Sequence, residues 1–165
     1  MEAMGLIRRS SSSWGSPLHL VPKPDGSWRP CGDYRLLNSR TVKDRYTLPL
    51  LRDFAANLSG SKVFSVIDLK KAYYQVPLTE DSIPKTAIVT PFGSFEFLVM
   101  PYGVCNAAPT FQRVMDSIFA SVPFIFIYLD DLIVFSPDKV THEDHLCQVL
   151  QCLCDSGLSM NPEKC

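Results

Sequence analysis

Phe124-Ile-Phe-Ile-Tyr-Leu-Asp-Asp-Leu-Ile-Val-Phe135 is the stretch on which the fold turns. A bulky apolar run leads into Leu129-Asp130-Asp131, and a second, Leu132–Phe135, leads away. Short apolar runs on either side of a polar break read as two buried strands joined by a tight turn. Asp is at home in turns, so the two carboxylates have a bland reading as a polar tip that keeps the strand pair in water. Against that, adjacent like charges repel by about 1 kcal/mol at 4 Å in water and by several times more near a protein interior. A pair on the lip of an apolar sheet is easier to understand if a cation sits there.

Working outward, Val63-Phe-Ser-Val-Ile67 is another β-rich run, and it ends at Asp68. If that strand lies beside the strand–turn–strand, Asp68 and Asp130 converge on one sheet edge, with Asp131 close by. Oxygen-only ligands suit Mg²⁺, which keeps waters and substrate phosphates in its shell. Such a site fits metal-assisted phosphoryl transfer. On spacing alone, three acids at strand ends leave this reading and the polar-tip reading both open.

The remaining elements fall around this centre. Pro22-Lys-Pro-Asp-Gly26, between His19-Leu-Val21 and Trp28, predicts a hairpin that carries Lys23 and Arg29. A helix is expected over Leu50–Leu58, stopped by Gly60. Thr86–Thr90, Pro91–Ser94 and Phe95–Leu98 read as a second hairpin. Asn106 is placed to cap a helix with Pro109 in its first turn and a buried stripe of Phe111, Val114, Met115 and Ile118. Thr141-His-Glu-Asp144 has the form of a capping box for a last helix, which buries Leu146, Val149, Leu150 and Leu153 and closes at Gly157. Strands with two helices on one face make the class α+β.

Bulk properties exclude more than they assign. Lys+Arg number 16 and Asp+Glu 17, for a formal charge of −1, so any contact with a phosphate backbone must come from a local patch. With 46% hydrophobic residues the chain has ample material for a core. The N-terminal residues lack the apolar segment of a signal peptide, and the apolar stretch at Val122–Leu129 is too short to span a bilayer, so a soluble protein with no membrane partner is expected. Six irregularly spaced cysteines fit buried thiols in a reducing compartment. His142, His145, Cys147, Cys152 and Cys154 are close in sequence, but helical spacing does not bring four of them to one point as zinc requires.

Tyr128-Leu-Asp-Asp131 resembles the YxDD box of reverse transcriptases, and Val66-Ile-Asp-Leu-Lys-Lys-Ala-Tyr-Tyr-Gln-Val-Pro77 is similar to their first aspartate motif. Val21–Pro30, Asp33–Asn38, Ile83–Ala87, Phe95–Pro101, Asn106–Gln112 and Gly157–Cys165 also match, in the family's order and over nearly the whole chain. The likeness is greatest to gypsy-type long-terminal-repeat retrotransposons and extends to retroviruses. One departure is visible. Asn106-Ala-Ala-Pro-Thr110 has its proline one place later than the family order, still within the first helical turn, where proline is tolerated.

The resemblance implies a right-hand polymerase fold of fingers and palm, without a thumb. Residues 1–42 and 76–106 would form the fingers, and 43–75 and 107–165 the palm. It implies RNA-directed DNA polymerisation by two-metal phosphoryl transfer, with Mg²⁺ as cofactor and Mn²⁺ as a substitute. Asp68 and Asp130 would ligate metal, Asp131 would assist or serve only as a turn residue, and the Leu69 carbonyl would help hold the nucleotide-bound ion. Lys23 and Arg29 would grip the triphosphate of a dNTP, a task for which a guanidinium is well shaped; the alternative is a solvated hairpin charge. Ala72, Tyr73, Tyr102 and Gly103 would line the nucleotide, with Tyr73 as the steric gate against a 2′-hydroxyl and Tyr74 as a core residue. Arg35 would lie near the template, or pair with Asp33, while Tyr128 and Leu129 would press on the primer. The implied partners are a primed RNA or DNA template, dNTPs, and the remainder of a pol polyprotein with thumb, RNase H and integrase. The expected location is intracellular, in cytoplasmic retroelement particles and the nucleus. The competing implication is a retroelement remnant that folds and binds nucleic acid or a protein without catalysis.

Overall fold

The computed structural model describes residues 1–22, 26–50 and 58–165, which leaves Lys23 and most of the helix expected over 50–58 outside the described residues. The strands are β1 (Ile7–Arg9), β2 (Ser16–Pro22), β3 (Trp28–Gly32), β4 (Val63–Asp68), β5 (Ile88–Thr90), β6 (Gly93–Phe97), β7 (Ile125–Tyr128) and β8 (Asp131–Ser136). The α-helices among the described residues are α1 (Arg35–Arg40), α2 (Ala107–Ile118) and α3 (Lys139–Asp155). Two compact units result, one from Met1–Asp44 with Tyr73–Ala107, the other from Arg45–Ala72 with Ala108–Cys165.

The first unit holds a five-stranded sheet in the order β1-β6-β5-β2-β3. Its two hairpins, β2–β3 and β5–β6, are the ones the turn residues predict. They are joined by a short parallel pairing in which Ser16 lies opposite Ile88. The core gathers Tyr34, Ile88 and Phe97. The buried Tyr34 hydroxyl donates to Thr86 O at 2.9 Å, and burial pushes its ionisation well above the usual phenol range. Asn38 fastens the 103–105 loop, its Nδ2 donating to Gly103 O at 2.8 Å and its Oδ1 accepting from Cys105 N at 2.8 Å. Asn106, read as the cap of α2, has its side chain turned to the residues after α1: Oδ1 accepts from Asp44 N and Nδ2 donates to Val42 O.

The second unit holds a three-stranded antiparallel sheet in the order β4-β8-β7. Register fixes its two faces. Ile67 lies opposite Leu132 and Ser65 opposite Val134, so these side chains share one face, and Leu132 and Val134 are fully buried. Helix α3 lies on that face through His142, whose Nε2 meets Ser65 Oγ at 2.8 Å and whose Nδ1 meets Ser136 Oγ at 2.7 Å. His145 Nδ1 reaches the same Ser136 hydroxyl at 2.8 Å, and its ring stacks on Phe124 with 3.6 Å between centroids. The histidines of the candidate zinc cluster therefore serve as hydrogen-bonding partners of a buried serine.

Two expectations for α3 need correction. The cap is Asp138, which accepts from Thr141 N at 2.9 Å, because the helix starts three residues before the capping-box reading put it. Leu150 is exposed, since Val149 and Leu153 already occupy the buried stripe. The C-terminus behaves as expected: Gly157 takes φ 67°, its N–H bonds Cys154 O, and Leu158 N–H bonds Leu153 O, a Schellman motif.

Candidate active site

The other face of the three-stranded sheet carries the acids. Asp68, the last residue of β4, lies directly opposite Asp131, the first of β8, and Val66/Ile133 and Phe64/Phe135 continue the same face behind them. Cross-strand partners on one face stand about 4.5–5.5 Å apart at Cβ, close enough for carboxylates to share a cation. β7 closes against β8 at Tyr128/Asp131, leaving a two-residue turn of Leu129 and Asp130. Leu129 takes φ 56°, the sign that tight two-residue hairpins require at their first turn position and that a side-chain-bearing residue adopts at a cost of about 1–3 kcal/mol. The Leu69 N–H donates to Asp130 O at 3.3 Å, tying the turn to the end of β4.

The electrostatics favour positive charge at this lip. Burial, then the charges of Asp130 and Asp68, push the Asp131 carboxyl above its ordinary range, with Lys164 pulling the other way. Lys164 stands 3.4 Å from Asp68 Oδ2. It is placed there by the chain beyond α3, where Lys70 N–H bonds Ser159 O and Asn161 N–H bonds Asp68 O, so that Leu69 and Met160 form an isolated bridge. Asp68, Asp130 and Asp131 offer oxygen donors of the kind a Mg²⁺-sized cation prefers, while among the described residues no three ligating side chains are drawn together closely enough to hold a metal ion by themselves.

In the first unit, three of the nucleotide-lining candidates meet. The Arg29 guanidinium lies 5.2 Å from the centroid of the Tyr102 ring, and the Tyr73 ring packs on Tyr102 at 5.1 Å. Tyr74 stands edge-on to Tyr102 at 5.1 Å and stacks on Phe97 at 5.9 Å. Burial raises the Tyr74 hydroxyl to about 12. Gly103 is exposed and held through its carbonyl by Asn38. Ala72 is buried at the end of the second unit, one residue before the chain crosses to Tyr73. Arg35 pairs with Asp33, Nη2 at 2.6 Å and Nε at 2.8 Å, which holds the Asp33 carboxyl below its usual range. Tyr128 and Leu129 flank the acids at the tip of β7.

Two residues with no role assigned from sequence belong to this site. Lys164 lies in the matching Gly157–Cys165 segment, but a lysine beside a glutamate reads locally as a solvated charge. Gln112 gave a clearer signal: a polar residue on the buried stripe of α2, which has to be hydrogen-bonded. It is fully buried, and its Oε1 accepts from Leu129 N at 2.9 Å.

Residues 21–165 match the family model described as reverse transcriptase (RNA-dependent DNA polymerase). The chain is 40% identical to the retrovirus-related Pol polyprotein from transposon 297 of Drosophila melanogaster, an alignment covering 98% of this chain and 16% of the relative. With the corresponding polyprotein from transposon gypsy of the same fly the identity is 35%, over 97% of this chain and 16% of the relative. The chain thus spans about one sixth of the length of these curated relatives. Among solved structures, the foamy viral protease-reverse transcriptase in complex with an RNA/DNA hybrid superposes with a TM-score of 0.89 at 26% identity, covering 97% of this chain and 22% of that one.

Proposed function

Because this chain belongs to the reverse transcriptase family, we propose that it carries the catalytic centre of an RNA-directed DNA polymerase, extending a primer 3′-hydroxyl with deoxynucleotides on an RNA or DNA template. The observation that carries this reading is the register of β4 on β8, which sets Asp68 opposite Asp131 with Asp130 in the adjoining turn. Asp68 and Asp130 would hold two Mg²⁺ ions, or Mn²⁺, with Asp131 and the Leu69 carbonyl assisting. Bound there, the ions would favour ionisation of the 3′-hydroxyl and neutralise charge on the leaving pyrophosphate.

The chain's own groups do the holding and sorting. Lys164 balances Asp68. Arg29, joined by Lys23, would pair with triphosphate oxygens, and its place over Tyr102 limits the directions its fork can take. Tyr73 would lie under the sugar and exclude a 2′-hydroxyl, with Ala72, Tyr102 and Gly103 completing the nucleotide's surroundings. Tyr128 and Leu129 would touch the primer end. For the template, Arg35 is offered through its exposed guanidinium, oriented by Asp33. The solved relative bound to an RNA/DNA hybrid supports the class of nucleic acid, and the Pol polyprotein relatives support a longer parent that supplies thumb, RNase H and integrase.

Primer extension on an RNA template with dNTPs and Mg²⁺ tests the proposal. Metal-dependent extension lost in Asp68→Asn supports it. A chain that binds the hybrid but extends nothing under Mg²⁺ or Mn²⁺, even as part of its parent polyprotein, would sink it in favour of the non-catalytic remnant.

A further inference from the structure

Turns that carry catalytic groups need to be held, and beside the Leu69 tie to Asp130 this one is gripped by a side-chain amide. Gln112 Nε2 donates to Ile127 O at 3.1 Å while its Oε1 accepts from Leu129 N at 2.9 Å. Ile127 lies on β7, an edge strand of the sheet, and Leu129 follows two residues later in the turn, so the carbonyl and N–H they turn away from β8 would otherwise lack a ladder partner. The side chain of Gln112 supplies what a neighbouring strand would, a donor and an acceptor at the right spacing. Its orientation is also fixed. Nε2 has a second acceptor in Asp116 Oδ1 at 2.9 Å, and Asp116 Oδ2 in turn accepts from the Tyr46 hydroxyl at 2.7 Å. Two acceptors face the amide nitrogen and one donor faces its oxygen, so a flipped amide would lose all three bonds.

We propose that Gln112 is the positioning residue for Asp130. Its amide holds Leu129 in the left-handed conformation that aims the following carboxylate at Asp68 and Asp131. This rests on the reading of those acids as a divalent-metal site. Gln112 touches no reacting atom; it acts through the backbone, with Asp116 and Tyr46 behind it. The geometry explains why a fully buried polar side chain stands on the apolar stripe of α2, and why leucine is tolerated where glycine would be unstrained.

Two measurements on the 165-residue chain judge the proposal: amide hydrogen exchange at Leu129, and Mn²⁺ affinity by titration calorimetry. In Gln112→Met, which keeps the side-chain length, Leu129 should exchange at least about tenfold faster while Val134 keeps its rate. Mn²⁺ should bind about tenfold more weakly, the usual effect of losing a group that orients a ligand. Adding Leu129→Gly to Gln112→Met should return the affinity to within about threefold of the parent, because glycine needs no clamp at positive φ. Loss of packing alone would not be repaired this way, so a double variant as weak as the single one overturns the proposal. So does an Mn²⁺ affinity unchanged by Gln112→Met. If that variant does not fold, Asp116→Asn takes its place, since it lets the amide turn, and a smaller loss in the same direction is expected. Absence of Mn²⁺ binding by the parent chain overturns the metal reading itself, whereas an unchanged Leu129 exchange rate in Gln112→Met overturns the clamp alone.

Discussion

The two sheets of this protein use polar groups in opposite ways. In the three-stranded sheet, paired strands of four to six residues bury an apolar face under α3, and the carboxylates sit at the lip, where they add nothing to packing. The five-stranded sheet is held together by polar links between residues far apart in the chain, such as Arg8 with Glu96, Tyr34 with Thr86 and Asn38 with Gly103. On the proposed reading, the acids of the first sheet serve chemistry and the polar groups of the second serve assembly. Removing the first should abolish activity and spare the fold; disturbing the second should lower stability and leave the metal site of the folded chain alone.

Asp130→Asn gives the sharpest break. It deletes one charge from an exposed turn, so primer extension should fall by at least about a hundredfold while the thermal unfolding midpoint stays put. Activity within a few-fold of the parent would remove Asp130 from the metal site.

The opposite test lies in the first unit at Gly32. A Cβ there would run into the ring of Tyr34, which is itself buried and anchored to Thr86. Gly32→Ala should therefore destabilise the chain by about 1–3 kcal/mol through overpacking. Denaturant titration would read this as a lower midpoint, with the Mn²⁺ affinity of the folded fraction unchanged. A neutral Gly32→Ala would mean that Tyr34 gives way easily and that the first unit is less tightly assembled than its polar links suggest.

The same contrast explains what the sequence disclosed. The three-stranded sheet was legible because its signals are local: apolar runs, a turn between them, and acids at their ends. Both hairpins of the other sheet were legible from their turn residues for the same reason. Their union was not, because the pairing of Ser16 with Ile88 depends on contacts across the chain that no periodicity encodes. At the site, Asp68, Asp130 and Asp131 could be singled out because adjacent like charges on the lip of an apolar sheet repel and need a reason. Arg35 could not be settled from sequence, since a residue two places from Asp33 serves a local ion pair as readily as a distant phosphate. Lys164 reaches Asp68 only through the bridge between Leu69 and Met160, which joins segments some ninety residues apart.

Tyr73 and Tyr74 bring the contrast down to neighbouring residues. Both rings meet Tyr102, but Tyr74 also stacks on Phe97 of the first core. On the steric-gate reading, Tyr73→Val should raise ribonucleotide use relative to deoxyribonucleotide use by about tenfold, or about 1.4 kcal/mol of lost discrimination. Tyr74→Val should lower stability and leave that ratio alone. Single-nucleotide addition kinetics with matched rNTP and dNTP would separate them; a ratio that followed Tyr74 would put the gate one residue further on.

The smallest effect expected is at Glu96, and it carries a pH signature. Glu96 is buried between β1 and β5, where burial alone would raise its carboxyl. The Ser10 hydroxyl at 2.6 Å and the Arg8 guanidinium at 2.7 Å outweigh burial and hold it below the ordinary range. A carboxyl with a depressed folded pKa contributes stability above its unfolded value, near 4.3, and loses it as pH falls toward the folded one. Glu96→Gln keeps the shape and removes the charge. Because Arg8 is half exposed and its attraction is screened, the substitution should cost no more than about 1 kcal/mol at pH 7. The gap between parent and variant should then close on acidification below pH of about 4, where the parent's own carboxyl takes up a proton and resembles the amide. Urea unfolding at a series of pH values would show this convergence. Two stability curves that stayed parallel down to pH 3 would mean that the Arg8–Glu96 charge does not help assemble the five-stranded sheet, and that the two sheets differ in where their acids sit but not in what those acids do.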